Sequence, residues 1–169
     1  LLFVLNYSDK YTPSYCLEKA REYGRMATAK VSEKFSSWRC INQPERLRVG
    51  IVSGDLCHHP VGYFLENMLM QLDYERVELF AYPTQFREDS LTARIKPRFA
   101  AWKPVAALND QAVARLIHED GVHILLDLSG HSQHNRLSIF AWKPAPVQAT
   151  WLGYFATTGV AEMDYFLAD

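Results

Sequence analysis

Apolar residues recur along the chain in two patterns, short continuous runs and longer stretches with helical spacing. The runs, which are rich in β-branched and aromatic residues, predict strands at 48–53, 77–82, 100–105, 123–128, 147–154 and 163–169. The helical spacing predicts helices at 12–35, 59–72, 87–99 and 109–120, and one more that stops before Pro144. Strands that alternate with helices in this way predict an α/β fold, with a mainly parallel sheet flanked by helices.

Polar and breaking residues mark where the predicted helices begin and end. Thr12 or Ser14 can cap the first helix, Asn109 can cap the helix at 109–120, and Gly121 can end it. Pro97 ends or kinks the helix at 87–99. Between the first helix and the first strand lies a stretch of mixed polarity. We therefore predict two parts, a linker helix region at 1–45 and a compact lobe at 46–169.

Composition narrows the class of protein. The 169 residues are 49% hydrophobic and 22% charged, with a net charge of −1 and scattered Lys and Arg, so we expect a globular domain that binds neither nucleic acid nor a membrane surface. The three cysteines are odd in number and form no CxxC pair, which favours a reducing, cytoplasmic compartment. A secretory signal, a membrane-spanning run and an initiator Met are all missing, so we expect a part of a longer protein.

Small and reactive residues follow three of the predicted strands, in "SGDLCHHP", "SGHSQHN" and "GYFATTG". Ligands of parallel sheets bind beyond the carboxyl ends of the strands, so these segments are expected to meet at one edge. His59 directly precedes Pro60 at the start of a predicted helix, which places the imidazole over the cleft near the positive helix end. His58 has the simpler interpretation of a loop residue.

All three segments leave alternatives open. A hydrolytic zinc site could be assembled from loop side chains, namely His58, His59, His131, His134, Asp55 and Asp127. Their spacing matches no HExxH motif, however, and loop histidines more commonly bind backbone groups. In the third segment, the hydroxyls of Tyr154, Thr157 and Thr158 could bind a sugar or a phosphate, or the segment could be a turn shaped by its glycines.

Three long stretches resemble the O-GlcNAc transferase family, including its bacterial and plant SPINDLY-like members. They are "LRVGIVSGDLCHHPVGYFLENML", "DGVHILLDLSGHSQHNRLSIFAWKPAPVQATWLGYFATTG" and "EMDYFLAD". The resemblance implies an inverting transfer of N-acetylglucosamine from UDP-GlcNAc to Ser or Thr hydroxyls of proteins, with GDP-fucose as the donor in SPINDLY members. It implies no metal and no cofactor beyond the donor substrate.

The resemblance also implies an architecture. Family members have a GT-B fold, in which two Rossmann-like lobes face a cleft behind tetratricopeptide repeats. The chain corresponds to the first lobe, so we expect the second lobe and the repeats to be its partners in the same polypeptide. The isolated segment is then expected to be inactive. A metal-dependent hydrolase and a non-catalytic, protein-binding lobe remain as alternatives.

Individual roles follow from matched motifs. The histidine of the family's D-x-x-x-HP motif falls on His59, beside Pro60, and lines the sugar and acceptor side of the cleft as a candidate base. A second family histidine, ahead of the "DG" turn, falls on His118, which the resemblance implies as a second catalytic residue.

The expected substrate-binding residues are Pro60 and four residues of the two later segments. His131 and Ser132 occupy the turn that is "GYT" in animal members, and Tyr154 and Thr157 lie in "GYFATTG". In that segment the chain has Phe and Ala at 155–156, where the family often has Pro and Gly.

Overall fold

A six-stranded, all-parallel sheet forms the centre of the computed structural model, which describes residues 2–168. Its strands are β1 Leu47–Ser53, β2 Val77–Pro83, β3 Ala101–Trp102, β4 Ile124–Asp127, β5 Val147–Trp151 and β6 Tyr165–Leu167. They lie in the order β3-β2-β1-β4-β5-β6, which is the order of a Rossmann fold. The α/β prediction with a parallel sheet is confirmed.

Five α-helices accompany the strands. They are α1 Leu2–Leu5, α2 Pro13–Thr28, α3 Pro60–Gln71, α4 Ser90–Ile95 and α5 Asp110–Glu119. Within the described residues, two short 3₁₀ helices lie at Lys96–Arg98 and Leu137–Trp142. The second stands where the sequence predicts a helix that stops before Pro144. No helix within residues 2–168 is long and apolar enough to cross a membrane.

The predicted helix ends are borne out where a side chain supplies the cap. The Thr12 Oγ1 accepts a hydrogen bond from the Tyr15 N–H at 3.2 Å, and the Asn109 Oδ1 accepts one from the Ala112 N–H at 2.8 Å. Gly121 follows α5 with a φ of 62°, a left-handed conformation that glycine adopts without strain. Local signals of this kind therefore located the helix starts well.

Helices cover both faces of the sheet. Ile51 in β1 points into a core formed with α3 and α4, where Leu65 and Leu91 are fully buried. The next residue, Val52, points into the opposite core with α5 and the 3₁₀ segment, where Ile117 and Phe140 are fully buried. Successive side chains of a strand point to opposite faces of the sheet, and both faces are covered at β1. Apolar residues in β1 therefore follow one another instead of alternating with polar ones.

The region predicted as a linker is packed on the lobe. A Cβ added to Gly24 of α2 would lie 1.9 Å from the carbonyl oxygen of Gly159, so the two backbones touch. Farther along, the Phe35 N–H donates to the Trp142 carbonyl at 2.9 Å, and the Trp38 Nε1–H donates to the Lys143 carbonyl at 2.9 Å. The described part of residues 1–45 therefore helps to hold the loops that follow β4 and β5.

Candidate active site

The strand order creates a cleft at the carboxyl edge of the sheet, between β1 and β4. The chain runs outward from β1 to β2 and β3 and then returns to the other side of β1 at β4. In open parallel sheets, ligands bind at such a reversal of strand order. The segment from Gly54 to His59 lies on one side of this cleft, and the segment at 128–136 lies on the other.

Backbone contacts join the loops around the cleft. The Thr84 hydroxyl, just after β2, donates to the His134 carbonyl at 2.7 Å, and the Thr84 N–H donates to the Ser53 carbonyl at 2.9 Å. A Cβ at Gly54 would lie 2.8 Å from the Cβ of His134, so only glycine allows this approach. His134 itself has a φ of 62°, which is uncommon for a residue with a side chain.

His59 caps α3 with its own side chain. The Nδ1 atom accepts a hydrogen bond from the Val61 N–H at 3.2 Å and lies 3.8 Å from Oδ2 of Asp55. The imidazole is 44% exposed, whereas the Asp55 side chain is 12% exposed. Because the lone pair of Nδ1 is engaged, the neutral ring carries its proton on Nε2 in this arrangement. His59 and Pro60 thus lie where the sequence predicts, at the start of a helix over the cleft.

The sequence indicates Asp55 as a possible metal ligand or a turn residue with local backbone hydrogen bonds, and it does not indicate the pairing with His59. Burial raises the pKa of Asp55, while His59 and His134 act in the opposite direction. Its position four residues before His59, across a turn that leads into a helix, was the available signal. The carboxylate of Asp55 is thus approached by two imidazoles.

His58 is turned away from this group. Its Nδ1 lies 2.6 Å from the Tyr63 hydroxyl and its Nε2 lies 2.7 Å from the Ser90 hydroxyl. Its backbone N–H donates to Oδ2 of Asp89 at 2.7 Å. Both ring nitrogens therefore serve to link the start of α3 to the start of α4.

His131 braces two loops against each other. Its Nε2–H donates to the Thr158 carbonyl at 2.8 Å, and the ring packs edge-on against Tyr23 at 4.7 Å and Tyr154 at 5.3 Å between centroids. Burial lowers the pKa of His131, which favours the neutral ring. The side chain connects the loop after β4 to the loop after β5.

Asp127 organises the turn that carries His131. Its buried carboxylate accepts hydrogen bonds from the Ser129 N–H at 3.1 Å, the Gly130 N–H at 2.8 Å and the Thr150 hydroxyl at 2.8 Å. Burial raises the pKa of this carboxyl, against the three donors. Sequence reasoning missed this role, although an Asp at a strand end before Ser-Gly is typical of a side chain that closes a turn.

The other predicted substrate-binding residues lie at the same edge in different settings. The Ser132 hydroxyl oxygen is buried and has no hydrogen-bond partner within the described chain, as is true of Ser129. The Tyr154 hydroxyl accepts from Asn6 Nδ2 at 2.8 Å, and its ring is buried. The Thr157 side chain is exposed, and its hydroxyl accepts from the Gly159 N–H at 3.2 Å.

The structure does not bring His118 together with His59. His118 lies in the last turn of α5, directly before β4 begins, and therefore at the opposite edge of the sheet. Its ring stacks on Phe35 at 4.0 Å, and its Nε2–H donates to the Ser37 carbonyl at 2.9 Å. These contacts attach the segment between α2 and β1 to the lobe.

The zinc site considered for the loop residues is not assembled. Within residues 2–168, no three His, Cys, Asp or Glu side chains come together as a metal would require. The physical reason is that the rings of His58 and His131 are held by other partners.

Comparison with known proteins identifies the family of this chain. The sequence model of glycosyl transferase family 41 matches residues 8–169. The chain belongs to glycosyl transferase family 41. The resemblance seen in the three quoted stretches is thereby confirmed.

Curated relatives match most or nearly all of the chain. A SPINDLY protein of Arabidopsis thaliana is 32% identical over 99% of this chain, and one of Solanum lycopersicum is 34% identical over 99%. A UDP-N-acetylglucosamine–peptide N-acetylglucosaminyltransferase of Caenorhabditis elegans is 35% identical over 76%. The chain spans 19%, 18% and 11% of the length of these three proteins.

A solved family 41 structure shows the same fold. A mutant of the O-GlcNAc transferase of Thermobaculum terrenum superimposes on all of this chain with a TM-score of 0.92 and 38% identity. The matched part is 32% of that chain. The Rossmann-like unit of this chain therefore matches about a third of that protein.

Proposed function

We propose that this protein is part of an inverting glycosyltransferase that transfers N-acetylglucosamine from UDP-GlcNAc to Ser or Thr hydroxyls of proteins. The observation that carries the proposal is the agreement in fold and sequence with the O-GlcNAc transferase of Thermobaculum terrenum, which extends over the whole chain. The cleft between β1 and β4, with His59 at its edge, supports it.

The proposal assigns the chain to the first lobe of a GT-B enzyme in the cytoplasm. A second lobe of the same polypeptide would hold most of the nucleotide, and tetratricopeptide repeats ahead of α1 would help to bind the acceptor protein. No metal is required in this scheme, because the charge that grows on the departing UDP would be stabilised by groups of the second lobe.

In the proposed reaction, residues at the carboxyl edge of the sheet must handle the acceptor hydroxyl and its proton. The acceptor oxygen forms a bond to the anomeric carbon of the sugar, while the bond from that carbon to the UDP oxygen breaks and its electron pair leaves with UDP. The acceptor hydroxyl must lose its proton in the process. The exposed imidazole of His59 is suited to accept this proton or to orient the hydroxyl, since histidine is the side chain that most often serves as a general base.

The remaining residues divide by setting. Thr157 has an exposed side chain and is proposed to contact substrate, and Ser132 is proposed to contact substrate although its hydroxyl oxygen is buried and has no partner within residues 2–168. His131 and Tyr154 act through the loops that they hold, and Pro60 fixes the start of α3 and so the place of His59. His118 takes no part in the transfer, because it lies at the opposite edge.

Sugar transfer by the full-length protein tests this function. The protein is incubated with acceptor proteins and either UDP-GlcNAc or GDP-fucose, and modified Ser and Thr residues are identified by mass spectrometry. We expect N-acetylhexosamine from UDP-GlcNAc, and no transfer by residues 1–169 alone. Fucose transfer would overturn the donor assignment, transfer by 1–169 alone would overturn the two-lobe scheme, and binding of proteins without any transfer would support a non-catalytic lobe instead.

A further inference from the structure

The Nδ1 atom of His59 has two neighbours with opposite requirements. The Val61 N–H, at 3.2 Å, needs the lone pair of Nδ1, whereas the Asp55 carboxylate, at 3.8 Å from Oδ2, needs a proton on it. At 3.8 Å the second contact is too long for a hydrogen bond, so the described arrangement serves Val61. If the ring proton moved from Nε2 to Nδ1, Nδ1 would donate toward Asp55 and could no longer accept from the Val61 N–H.

We propose that Asp55 is a positioning residue for His59, which accepts a hydrogen bond from Nδ1–H and thereby leaves Nε2 free to take a proton. The described arrangement is then the resting form, in which His59 caps α3 and can only donate from Nε2. A small rotation of the ring toward Asp55 produces the second form.

The consequence for catalysis rests on the proposed transferase function. To accept the proton of a Ser or Thr hydroxyl, Nε2 must carry a lone pair, and the ring proton must therefore lie on Nδ1. In the transfer step the acceptor O–H bond breaks and its proton moves to Nε2, as the oxygen bonds to the sugar and UDP leaves with the electron pair. The resulting imidazolium keeps its Nδ1–H on the Asp55 carboxylate.

The electrostatics of Asp55 favour this partner. Its carboxylate is largely buried, and a buried anion is stabilised by a nearby cation. Two other titratable groups approach it, His134 from the loop after β4 and Cys57 from its own loop. Of the histidines within residues 2–168, His59 is the one whose ring nitrogen lies within 4 Å of the Asp55 carboxylate.

Nitrogen NMR of the histidine side chains tests the proposal without any need for activity. The ¹⁵N-histidine chain is titrated from pH 8 to pH 5 as wild type and as Asp55→Asn. We expect the proton-binding constant of the His59 ring to fall roughly fivefold in the variant, the factor for opposite unit charges about 4 Å apart in water. The His58 ring, held by Tyr63 and Ser90, serves as an internal control.

A second measurement needs no variant. In the wild-type chain, the carboxyl ¹³C signal of Asp55 should move in step with protonation of His59, and an independent movement would overturn the pairing. An unchanged His59 titration in a folded Asp55→Asn chain would also overturn it.

Activity is the third readout. In the full-length enzyme, Asp55→Asn should lower kcat by roughly 10²–10⁴-fold, the range of general-base contributions, with the KM for the donor unchanged. A kcat close to wild type would reject the positioning role. Absence of transfer by the wild-type enzyme would reject the proposed function instead, and the NMR results would still decide the pairing.

Discussion

His59 and His131 lie at the same edge of one sheet, yet their environments differ in every respect. His59 is 44% exposed and has an Nε2 atom without a hydrogen-bond partner in the described residues. His131 is enclosed by Tyr23 and Tyr154, and its Nε2–H is committed to the Thr158 carbonyl. The residue type is the same, so the partners decide which imidazole is available for chemistry and which one holds the scaffold.

The loops that carry the two histidines differ in the same way. The loop after β1 ends in a helix cap that His59 itself provides. The loop after β4 is fixed from beneath by Asp127 and from above by Tyr154, whose Cβ lies so close to Gly130 that an added methyl would meet it at 2.1 Å. The loop after β4 is therefore held by buried contacts on two sides, whereas the start of α3 is capped by an exposed side chain.

The largest expected effect follows from removing the available imidazole while keeping its cap. In the full-length enzyme, His59→Asn should lower turnover by about 10²–10⁴-fold, because Asn is a favoured N-cap that can still accept from the Val61 N–H but cannot take up a proton near neutral pH. Steady-state rates of sugar transfer measure this, and thermal unfolding checks that the fold is kept.

His58→Asn is the matched control, since it changes the neighbouring histidine, whose ring contacts Tyr63 and Ser90 outside the cleft group. Its turnover should stay close to that of the wild type. Equal losses in both variants would show that the segment acts only through its fold, and near-normal turnover of His59→Asn would remove His59 from the catalytic residues.

The next largest expected effect concerns the loop after β4, which Asp127 holds. Asp127→Ala leaves the N–H groups of Ser129 and Gly130 and the hydroxyl of Thr150 without their buried acceptor. We expect the free energy of unfolding to fall by about 2–5 kcal/mol, because buried polar groups that lose their partner cost about 1–3 kcal/mol each and relax in part. Urea denaturation of the chain measures this.

Asp73→Ala provides the contrast, because Asp73 closes a turn in the same manner but is exposed, with its Oδ1 accepting from the Glu75 N–H at 3.0 Å. Water replaces the lost acceptor there, so the change in stability should be much smaller. Similar losses in the two variants would mean that burial is not what makes Asp127 important.

The sequence predicted the local elements well and the long-range contacts poorly. Strand runs and cap residues such as Asn109 depend on near neighbours, and they located the elements correctly. The first helix was predicted to continue to residue 35, because Val31 and Phe35 keep the helical spacing, but α2 ends at Thr28. Both side chains pack against the core from an irregular segment instead, so burial preserved the pattern without the helix.

The candidate site shows the same limit. The rule that parallel strands share a carboxyl edge correctly placed His59 and His131 together. It also implies that a residue just before a strand, such as His118, lies at the other edge, a step that motif matching alone did not take. The pairing of Asp55 with His59 and the work of Asp127 depend on side-chain directions within turns, which residue spacing does not determine.

The smallest expected effect is a pH dependence of the free energy of unfolding that arises from His131. Burial lowers the pKa of His131 below its ordinary value, because the charged ring would lose its hydration. Below about pH 6.5, the usual value for histidine, the unfolded chain therefore binds more protons than the folded chain. The contribution to stability is fully present above that pH and is lost progressively as the pH falls.

His131→Gln removes the titration and keeps an amide N–H₂ that can donate to the Thr158 carbonyl. Between pH 7.5 and pH 5.5, urea denaturation should show a smaller loss of stability in this variant than in the wild type. If His131→Gln loses as much stability on acidification as the wild type, the buried ring is not the group that links protonation to unfolding, and the contrast with His59 rests on hydrogen bonding alone.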